Sequence, residues 1–485
     1  MHRRLVYTIT RQRWLVIALL IGAVLLLVHP PHGLTVQGWR VLVIVIVAVL
    51  LWVTEAIPLP AVAFVIAFAQ VALAGKDPNH VAMSFWSDSV FFIMGSLMLA
   101  VAMVKQRLDR RIAFALTRIS GPQTKWIALA FLAMSAIIAS FIGEHTVAGL
   151  MLPVVLVLVN SSGEDEPGRR QLAKMLLFCV AYGCIIGGLG TPSGGARNII
   201  VMGYWHDWFD TDVGYATWMK FTYPIVLLQI PAAFAVVWFG LRPQRRELSA
   251  AVAALRRQVA EEGRMGPREW AVVAIFAATL AAWITLSDRI GLGIISLLAA
   301  TVYLVFGLVD WADYNTGVNW GVVLVYGAAI SLGQAMKTTP EVVPGGPQYL
   351  APAEWAAKGT LTQLAGIGVT APFAILAMFA VVTLLFTNIM SAGATVAVLA
   401  PILLAMAQRA GLNPVIAGLV TALSSAYAYL TVFGTPASTI VYGTGHLRTT
   451  DFLRLGWRMA IVSTAIVLLI AALYWPHLSI PGPPG

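Results

Sequence analysis

Gly143-Glu144-His145-Thr146, followed further on by Gly190-Thr191-Pro192-Ser193-Gly194-Gly195-Ala196-Arg197-Asn198, sets polar, glycine-rich backbone inside long apolar runs. The pattern returns in the second half of the chain as Ser391-Ala392-Gly393-Ala394-Thr395 and Gly434-Thr435-Pro436-Ala437-Ser438-Thr439. Hydrocarbon offers no hydrogen bonds, so non-helical backbone survives there only where protein buries it or where it lines an aqueous cavity. A duplicated pair of interrupted segments at matching places in two halves is the sequence mark of a membrane transporter's binding site.

Composition agrees. Of 485 residues 59% are hydrophobic and 11% charged, a balance no water-facing surface carries. Apolar runs of spanning length recur at 14–28, 270–286, 290–309 and 459–473. The net charge of +10 comes from short connections: Arg3, Arg4, Arg11 and Arg13; Lys105, Arg107, Arg110 and Arg111; Arg242, Arg245, Arg246, Arg256, Arg257, Arg264 and Arg268. Such loops stay cytoplasmic, which puts the N-terminus inside, in a bacterial inner membrane. No basic patch interleaved with aromatics points to nucleic acid. The first apolar stretch is too long for a signal peptide and lacks a small-residue cleavage site, so it reads as a retained span. Cys179 and Cys184 point different ways from one expected helix, which makes a disulfide improbable.

The expected plan is an all-α polytopic membrane protein. After the first span, 36–74 is a helix, a kink at Pro58-Leu59-Pro60 and a second helix; 86–104 follows. Segments 127–141 and 147–159 are short and flank the polar 143–146 tip, the reading of a re-entrant helical hairpin. A polar loop at 161–170 precedes a span over 175–205, broken at 190–198, and a span over 221–241 closes the first half. The charged linker 242–268 carries an amphipathic stretch at 248–259, read as a solvated connector. The second half repeats this order: spans at 270–286, 290–309 and 322–336, a Pro/Gly-rich loop at 338–357, a hairpin (371–386, tip 387–395, 396–406), a broken span at 414–442 and a last span at 457–473. Pro153/Pro401 and Thr191/Thr435 are offset by about 245 residues, the spacing of an internal repeat. An odd number of elements per half gives two inverted-topology repeats: about eleven crossings plus two hairpins, with the C-terminus outside.

On these residues the chain resembles the divalent anion–sodium symporter (DASS) family, carriers of di- and tricarboxylates, sulfate and related anions. Trp52-Val53-Thr54-Glu55-Ala56-Ile57-Pro58 is similar to the family's W-x-T-E-A-I-P signature, 86–103 and 320–336 to its paired segments before each hairpin, and Gly443-Thr444-Gly445-His446 to its stretch after the second broken helix. The resemblance implies an elevator-type homodimer in lipid. Scaffold helices would lie at 1–112 and 269–358, and transport-domain segments at 113–218 and 359–450. The segment 219–268 would hold the last helix of repeat 1 with its linker, and 451–485 the final helix and tail. It further implies substrate held between two hairpin tips, each usually Ser-Asn-Thr, with sodium beside each tip. Here the first tip becomes Gly143-Glu144-His145 and the second Ser391-Ala392-Gly393, so both asparagines are gone.

Backbone N–H groups at helix starts, hydroxyls and a guanidinium suit an oxyanion. The candidate substrate residues are therefore Glu144, His145, Thr146, Arg197, Asn198, Ser391, Ala392, Gly393, Thr395, Pro436, Ser438 and Thr439. Gly143, Glu144, His145, Gly190, Thr191, Gly434 and Thr435 are candidates for coupling to Na+ or H+, with Na+ sites near Gly143 and Ser391; no other cofactor is implied. The hydroxyls can equally be helix caps. Three readings of Glu144 stand open: an ion pair with Arg197 that replaces sodium, a proton site shared with His145, or a cation ligand. The expected substrate is a di- or monocarboxylate, with sulfate or a related oxyanion next and a cation/proton antiporter as the rival class. An enzyme is not expected, because Glu144-His145 lacks the second His of a zinc H-E-x-x-H helix. Glu55 is expected to bond backbone freed by the kink, Asp88 and Asn319 to cap the helices that follow them, and Trp14, Trp205, Trp208, Trp270 and Trp457 to anchor span ends at the interface.

Overall fold

The computed structural model describes residues 2–108, 111, 121–163, 165–243, 247–260, 265–338 and 348–480. Arg110, Glu164, Arg245, Arg246 and Arg264 of the charged connections, positions 339–347 of the Pro/Gly-rich loop, the tail from 481 and the 112/113 boundary lie outside these residues. The regular structure is helical. After α1 (His2–Leu27) come α2 (Val36–Thr54), α3 (Leu59–Ala72), α4 (Pro78–Phe85), α5 (Asp88–Lys105), α6 (Thr124–Ile142), α7 (Glu144–Asn160), α8 (Glu166–Gly187), α9 (Ala196–Phe209) and α10 (Tyr215–Leu241). A linker helix α11 (Ser249–Ala260) leads into α12 (Pro267–Ile290), α13 (Leu292–Val305), α14 (Trp311–Gly317) and α15 (Trp320–Lys337). The chain ends with α16 (Pro352–Gly366), α17 (Pro372–Thr387), α18 (Ala392–Arg409), α19 (Pro414–Ser424), α20 (Pro436–Tyr442) and α21 (Thr449–Leu473). The order α2–α10 recurs in α12–α21, hairpin for hairpin and broken helix for broken helix, with α16 as the one element that has no counterpart among the described residues of the first half.

Polar punctuation fixes the helix starts. Thr35, Asp77, Asp165 and Asn413 each accept a backbone N–H in the first turn, and a proline follows at N1 or N2 in the last three. Asn319 caps α15 as expected, accepting from Val322 N at 3.3 Å. Small residues set the closest crossing. A Cβ on Gly183 would stand 2.5 Å from the carbonyl oxygen of Leu132, and one on Gly187 2.1 Å from that of Ala136. The backbones of α6 and α8 therefore touch, as small-xxx-small faces permit.

Among the described residues eight helices are long and apolar enough to span a bilayer, nine with α14–α15, which bends by 67°. The eight include the hairpin arms α6 and α18, while α3, α13 and α19 fall short of the roughly twenty residues a full crossing takes. Large apolar side chains such as Phe64, Phe68, Leu298 and Phe306 face outward, a surface that hydrocarbon solvates.

Several expectations need correction. The loop at 161–170 ends at Asp165, because Asp165 caps α8 and draws Glu166–Arg170 into the helix. The loop at 338–357 ends before Pro352, where α16 begins, an element with too few apolar residues to show as a span. Asp88 caps α13 across the fold and not its own helix: its carboxylate accepts from Gly293 N at 3.0 and 3.2 Å. Trp205 is no interfacial anchor; it is fully buried and donates to Pro414 O at 3.0 Å. Trp14, Trp270 and Trp457 are exposed on the perimeter. Glu55 ends α2 in the left-handed region, φ 47°. Cys179 and Cys184 are both free and buried on α8.

Candidate functional site

The first hairpin tip is a single residue. Gly143, at φ 88° and ψ 146°, links α6 to α7, a conformation that strains any residue with a Cβ. Glu144 is consequently the first residue of α7 and not part of a loop; it is buried, and His145 and Thr146 behind it are half-buried. The two arms pack on each other and on α8.

The break between α8 and α9 places Arg197 opposite. Its guanidinium is 2% exposed and donates from Nη1 to Glu144 Oε1 at 3.2 Å. Among the described residues Glu144 Oε2 and Arg197 Nε and Nη2 have no hydrogen-bond partner. Gly188 and Gly195 wall the guanidinium, since a Cβ on either would come within 2.8 or 2.9 Å of it.

The carbonyls of the break are engaged by side chains. Asn198 Nδ2 donates to Gly188 O at 2.9 Å and Thr191 O at 2.8 Å. Trp218 Nε1 takes Leu189 O and Thr222 Oγ1 takes Gly190 O, each at 3.0 Å. Thr191 Oγ1 donates to Ser140 O and accepts from Gly194 N, which caps the short 3-10 turn Pro192–Gly194.

In the second repeat Ser391 is exposed, caps α18 by accepting from Ala394 N, and accepts at its carbonyl from Thr395 Oγ1 at 3.0 Å. Ala392 and Gly393 are buried beside it. Thr435 caps α20 and pairs with Ser438 Oγ at 3.0 Å, while Thr439 Oγ1 donates to Val432 O. Gly434 packs under Thr387 and Ala428, and Pro436 opens α20 at the surface. The hydroxyls of Thr191, Thr395, Thr435, Ser438 and Thr439 thus hold backbone or one another.

Crosswise packing joins the halves. The second arm of each broken helix lies on the hairpin of the other repeat, α9 on α18 and α20 on α7. Tyr326 of α15, a helix that packs on both α9 and α18, fills the space beside Gly393 of the second tip. Tyr427 and Tyr429 stack at 5.7 Å in the second break. Asn388 ties that break to the hairpin, accepting from Leu430 N at 2.9 Å and donating to Tyr427 O at 3.3 Å. Sequence reasoning passed over these tyrosines and Asn388. A tyrosine on an apolar helix looks like core, whereas Asn388, one place past Thr387 inside the expected polar tip, gave a usable signal.

The chain is 26% identical to the sodium-dependent high-affinity dicarboxylate transporter 3 of Caenorhabditis elegans, covering 89% of this chain and 82% of that protein. It is 22% identical to the sodium-dependent dicarboxylate transporter SdcS of Staphylococcus saprophyticus, over 96% and 91%. Among solved structures it resembles MtrF of Neisseria gonorrhoeae (TM-score 0.58, 13% identity, 84% of this chain and 85% of that one). It also resembles the YdaH transporter of Alcanivorax borkumensis (TM-score 0.56, 13% identity, 92% and 99%). These likenesses bear on the fold alone. The family model for the sodium:sulfate symporter transmembrane region matches residues 10–480, and the chain belongs to that family.

Proposed function

We propose that this protein is a secondary transporter of small organic anions, di- or monocarboxylates, with weak or no sodium dependence, working by exchange or proton coupling. The observation that carries the reading is the buried Arg197. Glu144 uses Nη1, which leaves Nε–H and Nη2–H, the edge of the guanidinium that grips two oxygens of a carboxylate or sulfate. Arg197 also stands on the first turn of α9, where the helix dipole adds positive charge and disfavours a cation. One carboxylate at one corner leaves that positive cluster short of an anion.

The curated relatives are named for sodium dependence and dicarboxylates. Against inheriting the sodium stands the chemistry of this site. Both tip asparagines are absent, a guanidinium sits where a small cation would be repelled, and the carbonyls of Gly188–Thr191 already accept side-chain hydrogen bonds. Sulfate is the second reading, favoured by the family's description and by a guanidinium edge that fits any planar pair of oxygens. The remaining candidates would act through backbone: the N-ends of α7 at Glu144, α18 at Ala392 and α20 at Ala437, just past the donor-less Pro436, present orphan N–H groups.

Alternation would be elevator-like in a homodimer of a bacterial inner membrane. Segments 113–218 and 359–450 would move against scaffold helices from 1–112 and 269–358, with the N-terminus cytoplasmic and the C-terminus outside. The test is uptake by the purified protein in liposomes, with succinate, acetate and sulfate as probes and sodium, pH and preloaded anion varied separately. The expected result is uptake driven by preloaded anion or by a pH gradient, little changed when potassium replaces sodium and absent in Arg197→Ala. An obligatory sodium gradient, or movement of no anion, defeats the reading. Loss of pH-driven accumulation in Glu144→Gln with exchange intact would assign the proton to Glu144.

A further inference from the structure

Tyr326 lies along α15, outside the hairpins and broken helices, and packs against both hydrophobic cores: the large one around α6–α9 and the smaller one built on α5, α12 and α13. Its ring fills a space that one residue keeps open. A Cβ on Gly393 would stand 2.5 Å from the ring carbon Cε1 and 2.9 Å from the phenol oxygen, so any larger residue there displaces the ring. Gly393 is the third residue of the second tip. The phenol therefore occupies volume that a tip side chain would otherwise take.

The hydroxyl takes no hydrogen bond from the described residues, and α15 packs both on α9, whose first turn carries Arg197, and on α18, whose first turn carries Gly393. The side chain is half-buried, and its oxygen is not one of the unpartnered polar atoms sealed from solvent. Arg197 belongs to the first repeat's break, and Tyr326 is seated at the second repeat's tip. Between them stand a two-pronged cationic donor and a single neutral donor.

We propose that Tyr326 is a substrate-contacting, specificity-determining residue that donates its phenol O–H to the second carboxylate of a short dicarboxylate whose first carboxylate is held by Arg197. Gly393 is the partner that lets the ring reach it. The inference rests on the anion reading above and selects dicarboxylates within it. It moves the recognition lost with the tip asparagines onto a helix that neither tip contains.

The experiment measures KM and Vmax for succinate and for acetate by exchange in liposomes, with wild type, Tyr326→Phe, Gly393→Ala and the double variant Gly393→Ala/Tyr326→Leu. Tyr326→Phe keeps the ring and removes one donor to a charged acceptor. Succinate KM is expected to rise on the order of tenfold with Vmax kept and acetate KM unmoved. Gly393→Ala is expected to raise succinate KM similarly, and to add little where Tyr326→Leu has already removed the ring end. Unchanged succinate KM in Tyr326→Phe overturns the assignment while leaving the anion reading intact, as does an equal rise for acetate. If wild type carries neither succinate nor acetate, the carboxylate reading fails and the tyrosine's role with it.

Discussion

Arg197 donates from Nη1 to Oε1 of Glu144 at 3.2 Å, and both side chains are almost wholly removed from solvent. Each residue opens a helix, Glu144 starting α7 and Arg197 standing second on α9. The dipole of α7 favours the carboxylate, and that of α9 opposes the guanidinium. The pair is therefore lopsided: Glu144 has its helix dipole as well as its partner in its favour, whereas Arg197 has its helix dipole against it. A single charge at bilayer depth costs at least about 2.5–3.5 kcal/mol, so neither partner is ornamental.

Removing one partner should cost more than removing both. Arg197→Met leaves Glu144 buried and unpaired, a loss of about 3–5 kcal/mol, while Glu144→Gln/Arg197→Met exchanges the pair for neutral groups and should recover most of it. Thermal unfolding in detergent of the two singles and the double closes the cycle. Equal melting of Arg197→Met and wild type would show that the pair contributes nothing to the fold.

Two adjacent glycines should separate packing from binding. The Cβ of Gly187→Ala would meet the carbonyl oxygen of Ala136 at 2.1 Å, backbone that cannot yield without parting α6 from α8. A loss of about 1–3 kcal/mol is expected, seen as a lower melting temperature. In Gly188→Ala the nearest atom is Arg197 Nη2 at 2.8 Å, the end of a side chain that can swing aside. There the fall in melting temperature should be smaller than in Gly187→Ala while the KM for a transported anion rises. The reverse ordering would contradict both assignments.

The repeated plan was legible because glycine and proline punctuate it: both hairpins, both breaks and the linker helix fall where the sequence interrupts its apolar runs. The Glu144–Arg197 pairing was legible as one of three options, since an intramembrane charge demands a partner and few were on offer. What stayed hidden depends on contacts between distant elements. Asp88 serves α13, on the far side of a helix crossing, and Trp205 turns inward to a carbonyl of α19. Tyr326 acquires meaning only from the missing side chain at Gly393. The tip at 143–146 shrank to one residue because Glu144, His145 and Thr146 can all continue a helix, and only Gly143 supplies the positive φ.

Asn388 should prove a structural staple of the second break. Its Oδ1 accepts from Leu430 N at 2.9 Å, and its Nδ2 donates to Leu384 O at 2.7 Å and Tyr427 O at 3.3 Å. Asn388→Ala strands a backbone donor inside the protein, a loss of about 1–3 kcal/mol. Asn388→Asp keeps the acceptor and forfeits the two donations, so it should melt between Ala and wild type. If Asp melts with Ala, the bond to Leu430 is not the one that matters.

The linker helix α11 is expected to be held by its apolar face and not merely tethered. Leu248, Val252 and Leu255 are buried, Leu248 N donates to Pro122 O at 2.8 Å at the base of the first hairpin, and α11 packs on α7. The sequence reading of a solvated connector therefore fails for this face, while the opposite face stays wet at Arg257. Placing a carboxylate at Val252 puts an unpaired charge into that contact, at a cost larger than a short helix earns from its own backbone. Val252→Asp should release α11, and trypsin should then cut at Arg257 faster than in wild type, because a protease needs an unfolded, accessible segment. The melting temperature of the membrane portion should stay close to wild type, since α11 touches the bundle along one hairpin arm. Unaltered cleavage at Arg257 would mean that covalent tethering, and not the buried face, keeps α11 where it is.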